Sequence, residues 1–170
     1  MAGHRRCCVH LAALAVLTAG CTLPPPQPTS QGRPEILFYW GVDGRNRLDT
    51  TSGTLVKDMI KDPPLVVRFP LSDQEKHRII VLADSLGFFD LPVHVAPPDT
   101  AGVRSVMTPC DEYLLRISVG TWRHTSYWTT CDRSPCLECG RAEVLGRLLR
   151  DYIESRPAFQ RLPAARGGYY

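Results

Sequence analysis

Residues Asp111 to Thr130 read DEYLLRISVGTWRHTSYWTT, and this stretch decides the architecture. Gly120-Thr121 can close a two-residue hairpin, with glycine at the first central position, where a type II′ turn needs positive φ. Before the turn, Tyr113, Leu115, Ile117 and Val119 alternate with Glu112, Leu114, Arg116 and Ser118. After it they face Trp128, Ser126, His124 and Trp122. A period of two marks strands with one buried face. The pattern predicts an antiparallel hairpin whose mostly apolar side needs a cover.

Counting outward from Val119 opposite Trp122 places Cys110 opposite Cys131, as a non-hydrogen-bonded pair. The α-carbons of such pairs lie about 4.5 Å apart, inside the range of about 4.4–6.8 Å that a disulfide accepts. Cys136 and Cys139 are then left to bond each other, pinning the loop that enters the following helix. Other readings of CDRSPCLECGR, residues 131–141, stay open. Cys110, Cys131, Cys136 and Cys139 can form a structural zinc site of four thiolates. Cys136 and Cys139 form a C-x-x-C pair whose first thiol a helix N-terminus can acidify, the basis of a thiol–disulfide protein. The C-x4-C-x2-C spacing also starts like a plant-type iron–sulfur motif, but no cysteine follows Cys139.

Two amphipathic helices are available as the cover. Ser72 and Glu75 make a capping box, Ile79, Leu82, Ala83 and Leu86 share a face, and Gly87 supplies the stop. Ala142, Leu145, Leu148, Leu149, Tyr152 and Ile153 form the second stripe, ended by Pro157. Strands are expected at Ile36 to Val42, turning at Asp43-Gly44, and at Thr54 to Ile60 and Leu65 to Phe69. The arm 45–51 is polar on both faces, so its register is weakly specified. Each helix runs into an aromatic and Leu-Pro stop, FFDLP at 88–92 and FQRLP at 159–163, which suggests a ββα-type internal repeat. The expected fold class is α+β: an antiparallel sheet of hairpins with two amphipathic helices packed on one face. Leu115, Ile117, Trp122, Leu145 and Leu149 are expected to be buried together.

Catalytic signatures are missing. G-x-S-x-G, H-E-x-x-H, a phosphate-binding glycine loop and a calcium loop do not occur. His77 lies on the charged start of a helix, His94 among prolines, and His124 on the inward face of the hairpin. The chain is therefore read as non-enzymatic and without a cofactor.

The N-terminus carries an address. Arg5 and Arg6 precede an uncharged, mostly apolar run from Val9 to Ala19, too short to span a bilayer, which takes about twenty residues. The run ends in Leu17-Thr18-Ala19-Gly20-Cys21. This resembles the lipobox signal of bacterial lipoproteins, over residues 1–21 only, with Thr18 where that family more often has leucine. The resemblance implies cleavage after Gly20 and acylation of Cys21, a membrane anchor of several chains. Thr22 stands where aspartate tends to retain such proteins at the inner membrane, so the outer membrane, facing the periplasm, is favoured if the cell is Gram-negative. Pro24, Pro25, Pro26 and Pro28 then make residues 21–34 a tether inclined to polyproline II. Residues 35–170 form one domain.

Of 20 basic residues in the chain, Arg5 and Arg6 fall in the signal, leaving 18 against 17 acidic ones. That balance argues against nucleic acid as partner. The expected role is a lipid-anchored binding or assembly module of the cell envelope, meeting another envelope protein. Tyr127, on the outer face of the hairpin, and the Tyr169-Tyr170 tail are candidate contact residues.

Overall fold

The computed structural model describes residues 32–98, 106–132 and 134–170. The signal, Cys21 and nearly all of the tether lie outside these. Strands β1 (Pro34–Trp40), β2 (Asn46–Asp49), β3 (Thr54–Met59), β4 (Asp62–Arg68), β5 (His94–Val95), β6 (Glu112–Val119) and β7 (Trp122–Thr129) form one sheet in the order β4-β3-β2-β1-β6-β7-β5. The helices are α1 (Asp73–Ser85), α2 (Leu137–Glu154) and the short α3 (Pro157–Gln160), with a 3-10 turn at Phe88–Asp90.

The central hairpin has the register expected of it. Val119 pairs with Trp122 and the ladder runs unbroken to Glu112 opposite Thr129. Gly120 takes φ 60°, a left-handed value that glycine adopts without steric cost. The sheet differs from the expectation in one respect: it is mixed. β5 pairs with β7 in parallel, His94 beside Tyr127 and Val95 beside Trp128. A two-residue strand carries no periodicity, so His94 reads as loop in the sequence. Its pairing is set by the α1 crossover instead.

The ββα repeat is not confirmed. Four strands in a meander precede α1, whereas the β6–β7 hairpin alone separates β5 from α2. The shared aromatic–Leu-Pro stops end in different structures, a 3-10 turn after α1 and the helix α3 after α2.

Helix α1 starts where its capping box stands. Ser72 Oγ accepts from the Glu75 N–H at 3.3 Å, and the Glu75 carboxylate accepts from the Ser72 N–H at 2.7 Å. Satisfying both otherwise orphaned donors fixes the first turn. Gly87, at φ 69°, lets the chain leave the helix in the left-handed region.

All the helices that bury residues do so on one side of the sheet. Ile36, Phe38, Trp40, Leu48, Leu55, Tyr113, Leu115, Ile117 and Trp128 meet Ile79 and Ala83 of α1 and Ala142, Leu145, Leu149 and Ile153 of α2. Trp122 is only partly buried; its ring meets Phe89 edge-on at 5.2 Å at the border of this core. Leu148, counted in the apolar stripe, is 39% exposed, and Gly146 is buried in its place. A Cβ at Gly146 would lie 2.8 Å from the Tyr113 ring. That ring is stacked on Trp128 at 5.4 Å and cannot retreat. A bare backbone is what lets α2 approach the sheet closely here.

A candidate docking face and the cysteine end

Because the described helices that bury residues occupy one side, no helix among the described residues covers the other side of the sheet. A single row of paired residues crosses all seven strands there: Val66, Val56, Arg47, Tyr39, Leu114, Tyr127 and His94. The middle of this row forms part of a concavity of ≈ 440 Å³, whose lining also includes Leu37, Glu112, Arg116 and Thr125. Asp43 and Gly44 of the β1–β2 turn close one end.

The two tyrosines are held from the sides. The Arg47 guanidinium lies 6.0 Å from the centre of the Tyr39 ring, and His94 meets the Tyr127 ring edge-on at 5.8 Å. Partial burial, then the charge of Glu112 and a hydrogen bond to its carboxylate, raise the Tyr127 phenol above its ordinary pKa. Arg116 makes no ion pair among the described residues, which leaves its N–H groups available at the floor. The arrangement offers two aromatic plates, an apolar strip between them and hydrogen-bonding groups around it. That is the composition of a recognition surface.

The four cysteines among the described residues fall into two pairs. Cys110 and Cys131 have sulfurs at disulfide distance and α-carbons 5.1 Å apart, somewhat wider than an ideal non-hydrogen-bonded pair. They staple the hairpin just beyond Glu112. Cys136 and Cys139 make the second pair, also with α-carbons 5.1 Å apart. Among the described residues no group of three or more His, Cys, Asp or Glu converges as a metal site. Cys136 is the N-cap of α2, and its sulfur accepts from the Cys139 N–H at 3.1 Å. Next to the first pair, the Asp111 carboxylate accepts from the Tyr113 phenol at 3.1 Å and from Arg150 at 3.2 Å, tying α2 to the hairpin. Burial, and then Asp111, push the Tyr113 phenol well up.

The histidines occupy separate places. His77 is exposed on α1. His124 lies 3.3 Å from Ser126 Oγ, a pairing that nucleophilic catalysis uses. Ser126, however, is wholly buried and donates to the Pro92 carbonyl at 2.9 Å. The pair secures the Phe88–Pro92 segment to the sheet. Burial beside Phe88, Phe89 and Trp122 lowers the His124 pKa, against the opposing backbone of Phe88 and Leu91 and the charge of Asp90. The unfolded chain therefore binds a proton that the folded chain resists. Stability is full above the unfolded value of about 6.5 and falls as pH drops through the lowered folded value. Urea midpoints measured between about pH 7 and pH 5 should fall more for wild type than for His124→Gln. Equal slopes would contradict the assignment.

Of the expected contact residues, Tyr127 lies in the concavity. Tyr169 instead donates its hydroxyl to Asp58 and packs under Arg45, fastening the C-terminal segment, while Tyr170 is fully exposed. Tyr39 was missed, since it joins the site only through the long-range pairing of β1 with β6. No helix of the described residues is long and apolar enough to cross a membrane. No protein-family model, no curated protein and no solved structure matches the chain.

Proposed function

We propose that this chain is a lipid-anchored module of the cell envelope that binds a partner through the helix-free face of its sheet and performs no chemistry of its own. The observation that carries the reading is the Tyr39–Leu114–Tyr127 row on the floor of the concavity. Large, half-buried aromatic groups flanking an apolar strip are the residue types that supply binding energy at interfaces. The basic start, apolar run and Gly20-Cys21 junction support the anchor. Several acyl chains on Cys21 hold a membrane stably where a single chain does not.

Anchor and face are tested separately. Cys21→Ala should release the chain from envelope membranes or leave an uncleaved precursor. Wild-type chain recovered entirely in the soluble fraction, without acyl mass, would overturn the anchor. Leu114→Glu, at an outward position, should leave the thermal midpoint almost unchanged yet abolish the complex that wild type is expected to form in native gels of detergent extracts. An unaltered complex would overturn the face.

A second reading rests on Cys136. A sulfur at the N-cap of the 18-residue helix α2, accepting a backbone N–H, sits where a thiolate is stabilised. Such a pair can exchange disulfides with a dithiol partner. Thiol titration under graded reductant distinguishes the two: Cys136–Cys139 opening well before Cys110–Cys131 favours exchange, and equal resistance favours structural bridges.

A further inference from the structure

The concavity has a dimension that selects its occupant. Tyr39 and Tyr127 stand in one row, separated by the single strand β6. Neighbouring strands are about 4.8 Å apart, so the two rings are carried about 9.6 Å apart across the sheet. A polyproline II chain rises about 3.1 Å per residue, which sets prolines at i and i+3 about 9.3 Å apart on one edge. Prolines three apart can therefore lie on the two rings at once, with Leu114 beneath the residues between them. Polyproline II also leaves every backbone carbonyl unbonded. Arg116, unpaired among the described residues, and Thr125 lie one row along, where they can donate to those carbonyls. An uncharged segment of this kind brings no ion of its own into the concavity.

We infer that the occupant is the stretch Pro25-Pro26-Gln27-Pro28 of a second copy of this chain, a reading that rests on the binding role of this face. The stretch has prolines at the required spacing and no charge. The chain's own copy cannot serve, because of where the described chain begins. Gly32 is packed against Gly120 at the far end of the sheet. Gly120 lies six residues beyond Leu114 along β6, so Gly32 is about 20 Å from the tyrosine row. Pro28 is four residues before Gly32 and reaches at most about 14 Å from it. Pro28 thus falls short of the tyrosine row, and the two-proline contact cannot close within one molecule. Copies anchored in the same leaflet bring each tether to a neighbour's face.

The probe is a labelled peptide of residues 23–32, LPPPQPTSQG, titrated by fluorescence anisotropy. The binding partner is the full mature chain in detergent, carrying Pro25→Ala and Pro28→Ala so that its own tether does not compete. Saturable binding is expected, weakened roughly tenfold or more by Tyr39→Ala or Tyr127→Ala in the protein. The same loss should follow Pro25→Ala with Pro28→Ala in the peptide. Arg116→Ala, which removes a donor without touching the core, should weaken it as well. In sedimentation, the wild-type chain should dimerise with rising concentration and the doubly substituted chain should not. No saturable binding, or binding indifferent to both tyrosines, overturns the proposal. Tyrosine-dependent peptide binding by a chain that sediments as a monomer at every concentration overturns the second copy as occupant. If the peptide fails while Leu114→Glu still abolishes the envelope complex, the binding role of the face stands without this occupant.

Discussion

Leu149→Ala is expected to lower the unfolding free energy by about 2–5 kcal/mol, the range for deleting a buried leucine and leaving a cavity. Leu149 is 1% exposed on the inward side of α2, among residues that bury the sheet. Leu148, its neighbour in sequence, is 39% exposed. Leu148→Ala should therefore stay within about 0.5 kcal/mol of wild type. Urea unfolding of the two variants measures the contrast directly. Similar losses in both would mean that α2 is rotated about its axis relative to the face described.

The second large effect concerns the staple of the hairpin. Cys110 and Cys131 are 21 residues apart in sequence, so their bond removes closure entropy from a sizeable unfolded loop. Replacing both by serine should cost about 3 kcal/mol. The Cys136–Cys139 bridge spans a separation of only 3 residues. Its double serine variant should cost less, because the loop is short and serine can take over the N-cap that Cys136 now provides. Non-reducing peptide mapping fixes the connectivity before stability is compared. A Cys110–Cys136 or Cys110–Cys139 crosslink would refute the hairpin register.

Local rules made some of this architecture legible. The register of β6 and β7 follows from one glycine-led turn and a period of two, and Ser72 with Glu75 marks the start of α1, because each rule acts within a few residues. Legibility fades where long-range packing decides. β5 is two residues long and exists through its pairing with β7. In the polar arm of β2, Leu48 alone is fully buried, so alternation gives little guidance. On α2, hydrophobicity favours Leu148 over Gly146, but the proximity of Tyr113 and Trp128 demands the residue without a side chain. The candidate face follows the same division. Tyr127 is visible on the outer side of a readable hairpin, whereas Tyr39 enters through the β1–β6 pairing, between strands more than seventy residues apart. Cys21 rests on the resemblance of the first twenty-one residues and lies outside the described part.

The claim that the helix-free face is where this chain meets its partner is tested most directly by photo-crosslinking along β6 in intact cells. A photoreactive side chain is placed in turn at positions 114, 115, 116 and 117. The account predicts adducts from 114 and 116, which point into the concavity, and none from 115 and 117, which are buried against the helices. Adducts from neither set, or from all four alike, would contradict it.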